Sequence, residues 1–186
     1  MVNQDLKRFF IALLPPQAIQ DEVTAIKQIF AHRYDSRAAL KSPPHITLQP
    51  PFEWLIAELP TVSQALTQFA SHQPPLTVKL SGFGAFPPRV VFVDVVVTPE
   101  LQNLHQALLA HTEATLGLTD PRAKTRPFAP HMTVGFRDLS RSHFKAAWAE
   151  FRDQPFEHEF IVAQLTLLIH NGQRWTLCQE FPLLGG

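Results

Sequence analysis

A five-residue pattern occurs twice in this chain, and the two occurrences constrain its fold more than any other feature. Residues 44–48 read Pro-His-Ile-Thr-Leu and residues 130–134 read Pro-His-Met-Thr-Val. Alternate side chains of an extended strand share a face. His45 and Thr47 therefore point one way, and Ile46 and Leu48 the other. His131 and Thr133 separate from Met132 and Val134 in the same manner. Each copy presents an imidazole beside a hydroxyl on an element whose opposite face suits a core. One His-x-Thr in a chain with 9 histidines says little. Two copies, each preceded by proline and with the same apolar placement, imply two strands of one design.

The segments around the copies correspond as well. Arg8 to Leu14 is a short apolar run stopped by Pro15-Pro16, the mark of a buried strand. A helix follows from about Pro16, with Ile19, Val23, Ile26 and Phe30 at helical spacing. A polar loop leads to the first motif strand, which Pro50-Pro51 is expected to end. Leu59, Val62, Leu66 and Phe69 predict a second helix, opened by Pro60 and Thr61. Leu76, Val78 and Leu80 alternate with polar residues, a strand that Gly82 and Gly84 bend or bulge. The second half begins with Arg89 to Val97, read as a strand buried on both faces. Thr98 caps a helix with Pro99 in its first turn and Leu101, Leu104 and Leu108 inward. The loop 117–130 delivers the second motif. Ser140 or Ser142 then caps a helix with Phe144, Ala147, Trp148 and Phe151 inward. One long strand over 156–170, a hairpin at Asn171-Gly172 and a last strand over 173–181 complete the chain.

Strand, helix, long loop, motif strand, helix and strand thus occur in the same order twice. The expectation is an α+β fold in one bilobal domain, 1–186, with an internal repeat of approximately 1–86 and 87–186. Two lobes related by a pseudo-twofold axis would each carry a mostly antiparallel sheet with helices on its outer side. The motif strands would face each other across an active cleft.

Composition removes several alternatives. Lys and Arg number 16, Asp and Glu 16, so the formal net charge is +0. That argues against coating nucleic acid through bulk charge, though not against gripping one phosphate in a pocket. The single cysteine, Cys178, permits neither an internal disulfide nor a cysteine zinc cluster. A reducing, cytoplasmic location is expected. The run Phe9 to Leu14 is too short for a membrane span and ends in prolines rather than a cleavage site. No His-Glu-x-x-His run occurs, and the seven histidines outside the motifs read as structural or surface residues.

Two imidazoles and two hydroxyls suit acid–base chemistry on a phosphate. Imidazole titrates near neutrality, so one ring can take a proton from an attacking water while the other gives one to the leaving oxygen. The Thr47 and Thr133 hydroxyls can donate to the non-bridging phosphate oxygens. This logic requires no metal and no cofactor.

The paired His-x-Thr motif, the opening strand Arg8-Phe9-Phe10-Ile11-Ala12-Leu13 and the segment Pro88-Arg89-Val90-Val91-Phe92 together resemble the 2H phosphoesterase superfamily. The branch is similar to the 2′-5′ RNA ligase-like proteins, or RNA 2′,3′-cyclic phosphodiesterases, and the resemblance covers nearly the whole chain. It implies metal-independent opening of 2′,3′-cyclic phosphates, or reversible 2′-5′ joining, on RNA ends or cyclic nucleotides. It also implies His45 as proton donor, His131 as proton acceptor, and Thr47 and Thr133 as phosphate-binding residues. Two departures bear on substrate. The first motif runs into Gln49-Pro50-Pro51-Phe52, where family members usually run into an apolar segment ending in glycine. Where an arginine often follows the second motif, this chain has Phe136, with Arg137 next.

Arg137 keeps the strand parity of His131 and Thr133 and could extend their face, although a solvated strand-end charge is the commoner role. Arg126 and Lys124 could line the cleft or remain loop charges. Phe128 could stack on a base, or pack beside Pro127 and Pro130. Two other functions fit the same cleft: a non-catalytic RNA or nucleotide binder, and a small-molecule enzyme acting on ADP-ribose cyclic phosphate. No membrane partner is expected. The residues do not fix the oligomeric state, and a monomer is the simplest expectation.

Overall fold

The apolar periodicities resolve, in a computed structural model describing residues 5–121 and 125–185, into two four-stranded antiparallel sheets and four α-helices. In chain order these are β1 (Leu6–Leu13), α1 (Gln17–Arg33), β2 (Ile46–Leu55), α2 (Leu59–Ser71), β3 (Leu76–Phe86) and β4 (Val90–Val95). They continue as α3 (Pro99–Leu116), β5 (His131–Gly135), α4 (Arg141–Phe151), β6 (Glu157–Val162), β7 (Gln164–His170) and β8 (Trp175–Pro182). The first sheet has the order β2-β1-β7-β8 and the second β5-β4-β3-β6. This is the expected α+β arrangement, with each motif strand at an edge.

Alternation decides which face is core. Phe9, Ile11 and Leu13 of β1 join Ile46 and Leu48 of β2 in the main cluster, as do Val91, Val93 and Val95 with Met132 and Val134 in the second sheet. The opposite face of β1 carries Phe10 and Ala12, which form a small separate cluster with Leu168. The helices cover the core faces crosswise. α1 follows β1 of the first sheet yet packs on β5 of the second, while α3 follows β4 and packs on β2. Arg33 and Tyr34, at the end of α1, both bond the Glu150 carboxylate of α4, Arg33 through two nitrogens at 2.6 and 2.7 Å. No described helix is long and apolar enough to cross a membrane.

Four expectations are corrected. Pro50-Pro51 does not end the first motif strand, because β2 runs through both prolines to Leu55. In an edge strand one of two adjacent prolines faces the unpaired side, where a missing N–H costs nothing. The β1–β2 register slips opposite the pair, between Phe9 and Ile11, which accommodates the other. The segment 156–170 is two strands, not one: β6 pairs with β3 and β7 with β1, the chain passing between sheets at Ala163. β4 ends at Val95 and is not covered on both faces, since Asp94, Val96 and Val97 are exposed. Finally, β3 lies between β4 and β6, so the two sheets do not follow a division near residue 86. Other local signals hold. Thr98 Oγ1 accepts from the Leu101 N–H, and Ser140 Oγ from the His143 N–H. Gly82, at φ +67°, sits where the β3–β4 register slips. The Asn171 side chain accepts from the Gln173 and Arg174 N–H groups in the β7–β8 hairpin.

Candidate active site

The two edge strands β2 and β5 approach each other, which brings the motif copies together from sequence positions far apart. Alternation works as the sequence implies. Ile46, Leu48, Met132 and Val134 are fully buried, whereas His45, Thr47, His131 and Thr133 are half-buried.

The two imidazoles have matched surroundings. His45 Nδ1–H donates to the Pro43 carbonyl at 2.7 Å, and His131 Nδ1–H donates to the Ala129 carbonyl, also at 2.7 Å. A carbonyl oxygen only accepts, so Nδ1 holds the hydrogen in both rings. Nε2 of the neutral ring is then left with a free lone pair. Phe10 of β1 lies 4.7 Å from the His45 ring, and Phe92 of β4 lies 4.9 Å from the His131 ring. A second aromatic backs each phenylalanine: Trp175 touches Phe10, and Phe86 touches both Phe92 and His131. Each ring is therefore held by one hydrogen bond and an aromatic wall. No internal hydrogen bond engages the Thr47 or Thr133 hydroxyl among the described residues, which leaves both free to meet a ligand.

Electrostatics break the symmetry. Burial pushes His45 down to about 4, only partly offset by its bond to Pro43, and the nearby Lys27 and His131 lower it further. Burial also holds His131 below the usual imidazole range, while the Ala129 carbonyl and the Asp94 carboxylate oppose that shift. Asp94 sits opposite His131 in the β4–β5 register. Lys27 is 2% exposed on α1, and its ammonium donates to the Ser42 carbonyl at 2.9 Å, three residues before His45. Burial lowers Lys27 to about 7. The Lys27 amine thus stands behind one imidazole and a carboxylate beside the other.

A cavity of about 730 Å³ opens on the His45 side, with His45, Thr47, Phe10 and Trp175 in its wall. Arg8, Arg37, Lys41 and Arg137 also line it. A smaller hollow of about 450 Å³ lies on the side of the second motif, walled by Phe86, Phe92, Asp94 and Phe128. Arg137 reaches the larger cavity by an unexpected route. β5 ends at Gly135, so strand parity does not carry to residue 137. Instead the backbone turns through φ +60° there, and the guanidinium rests over the Phe136 ring at 5.1 Å. Phe128 stacks face to face on His105 of α3 with ring centres 3.8 Å apart, which covers one face of the ring. Arg126 is exposed and lines neither cavity. Lys124 lies outside the described residues. Among the described residues no group of three or more His, Cys, Asp or Glu is placed to hold a metal ion.

Sequence reasoning missed several residues of the wall. Arg8, Lys41, His170 and Trp175 come from β1, the loop after α1, β7 and β8, and no local pattern links them. His170 was expected to be structural or surface, yet it lines the cavity. Its Nδ1 accepts from Arg8 at 3.1 Å and from the Gly172 N–H at 3.2 Å.

The chain as a whole is similar to several known proteins. Residues 15–174 match the family described as the 2′-5′ RNA ligase superfamily. A candidate phosphoesterase of Geobacillus kaustophilus (strain HTA426) is 31% identical over 183 residues, covering 96% of this chain and 97% of the relative. One from Bacillus pumilus (strain SAFR-032) is 30% identical, covering 95% and 97%. Among solved structures, E. coli LigT complexed with 3′-AMP superposes with a TM-score of 0.70 at 23% identity, covering 96% of this chain and 99% of LigT. A Thermus thermophilus protein superposes with a TM-score of 0.68 at 22% identity, covering 96% and 98%.

Proposed function

The chain belongs to the 2′-5′ RNA ligase superfamily, and on that premise we propose that it is a metal-independent phosphodiesterase that opens 2′,3′-cyclic phosphates on RNA ends or nucleotides. The observation that carries the proposal is the matched pair of imidazoles, each with Nδ1 bound to a backbone carbonyl and Nε2 unengaged. In this reading water attacks the phosphorus and gives its proton to Nε2 of His131. The bond from phosphorus to one ribose oxygen breaks, and that oxygen takes a proton from Nε2 of His45. Thr47 and Thr133 donate to the non-bridging oxygens, where charge accumulates. Binding of 3′-AMP by LigT is consistent with a nucleotide monophosphate as the product-like ligand. The single Cys178 fits a cytoplasmic setting.

Proton transfer requires one charged imidazole. Burial disfavours that form at both positions. A phosphate anion between the rings reverses the balance, because an opposite charge favours the imidazolium. Ligand binding at neutral pH is therefore coupled to proton uptake. A reversed division of labour has one observation in its favour. Lys27 opposes a charge on His45 and Asp94 supports one on His131.

Turnover of adenosine 2′,3′-cyclic phosphate, oligonucleotides ending in a cyclic phosphate, and ADP-ribose cyclic phosphate tests the proposal. His45→Ala and His131→Ala should each lower kcat/KM by about 10²–10⁴-fold on the preferred substrate. Wild-type turnover should persist in excess chelator. Binding without turnover across the panel would instead establish a non-catalytic nucleotide binder. Activity lost to chelator and restored by zinc would overturn the metal-free mechanism.

A further inference from the structure

The larger cavity is far roomier than the reacting phosphate requires, and its wall is strongly one-sided in charge. Arg8, Arg37, Lys41 and Arg137 line it, and the carboxylate that lines it with them is Asp138. That carboxylate is already engaged: Oδ1 accepts from Ser36 Oγ at 2.8 Å, and Oδ2 from the Arg37 and Ala38 N–H groups at 2.8 and 2.9 Å. Among the described residues Arg8, Lys41 and Arg137 have no carboxylate partner, while Arg37 meets Asp35 only at the surface, at 3.2 Å. The chain as a whole is neutral. Four cations around one hollow are therefore a local concentration of charge that focuses a positive field on it.

One of the cations is held in place. Arg8 donates to His170 Nδ1 and lies 5.7 Å over the Trp175 ring. His170 Nδ1 also accepts the Gly172 N–H, so this ring stays a neutral acceptor that fixes Arg8 rather than competing for an anion. The hollow on the other motif's side has the opposite character, with phenylalanines and the Asp94 carboxylate in its wall.

We propose that the Arg8–Arg37–Lys41–Arg137 wall binds a second phosphate of the same ligand, one sugar away from the phosphate held between the two motifs. The chemistry is that of a 5′-phosphate or the preceding internucleotide phosphodiester. The uncharged end of the ligand then leaves toward the His131 side. This inference rests on the phosphate site proposed above but not on turnover.

Calorimetry with adenosine 3′-phosphate and adenosine 3′,5′-bisphosphate, neither of which can be opened, tests it. Turnover of adenosine 2′,3′-cyclic phosphate with and without a 5′-phosphate is measured in parallel. The wild type should bind the bisphosphate at least tenfold more tightly, and this preference should shrink as salt is raised. In the double variant Arg8→Gln, Lys41→Gln the ratio should fall to within about twofold of one. The double variant Lys79→Gln, Lys145→Gln, an equal charge change on β3 and α4 outside the cavity, should keep the wild-type ratio. A dinucleotide ending in a 3′-phosphate separates the two sources, since it presents the phosphodiester without the 5′-monophosphate. Preference for the bisphosphate without turnover of either cyclic substrate supports the subsite while removing the enzymatic reading. A wild-type ratio near one, or a ratio unchanged in the Arg8→Gln, Lys41→Gln variant, overturns the subsite.

Discussion

Lys27 occupies a helical position that an apolar side chain would ordinarily fill. Ile19, Val23 and Phe30 share its buried stripe on α1, and Ile26, the residue that the periodicity predicts there, is only half-buried. The ammonium survives burial because it reaches the Ser42 carbonyl, but burial lowers it to about 7 from 10.5. Between those values the unfolded chain holds a proton that the folded chain lacks. Stability therefore rises with pH through that window, by up to about 1.4 kcal/mol per unit from this group. Below pH 7 both states are charged and the contribution is flat. Urea melts of wild type and Lys27→Met from pH 6 to 10 should show their stability difference moving in favour of wild type above pH 7; a constant difference would refute the assignment. The threonines are simpler. Thr47→Val or Thr133→Val keeps shape and removes a donor, and each should lower kcat by about 10²-fold with little change in Tm. Loss of folding instead would show that the hydroxyls are structural. Lys27 was not legible in the sequence, because helical periodicity treats every charged residue as solvent-facing.

Element by element, the sequence was most legible where local chemistry decides the outcome. The caps at Thr98 and Ser140, the Asn171-Gly172 hairpin and the Gly82 bulge depend on a few adjacent residues, and each is found where the residues point. Where partner strands decide, reading failed. Pro50-Pro51 would end a central strand but is tolerated at the β2 edge, and the break at Ala163 exists because β6 and β7 belong to different sheets. Gly84 on β3 links such packing to the site. It is paired with Phe92 in the β3–β4 register, and a Cβ there would overlap the Phe92 ring that backs His131. Gly84→Ala should cost about 1–3 kcal/mol and lower turnover by displacing that ring. Gly117→Ala is the contrast. Its φ of +67° at the end of α3 makes alanine strained, yet nothing lies within 4 Å of the new Cβ. It should lower Tm and leave kcat alone. Equal kcat in the two variants would detach Phe92 from the chemistry.

At the scale of the whole molecule, the paired motif showed that two like strands exist but not how the remaining strands are shared between sheets. β3 comes from the first part of the chain and lies in the second sheet, while β7 and β8 complete the first. With α1 and α3 packed crosswise as well, neither 1–86 nor 87–186 holds a complete sheet. Fragments cut there should remain unfolded alone, and the intact chain should melt in one transition; two separable transitions by calorimetry would contradict this. The motif residues were legible because each pair lies within three residues of chain. The basic wall was not, because Arg8, Lys41, His170 and Trp175 meet only after both sheets form. The account as a whole depends on one phosphate meeting both imidazoles. Nitrogen-15 NMR of the histidine rings during titration with adenosine 3′-phosphate tests that directly. The Nε2 signals of His45 and His131 should move together with a single Kd, and at least one should shift toward the imidazolium position. Movement of only one ring, or two different affinities, would contradict it.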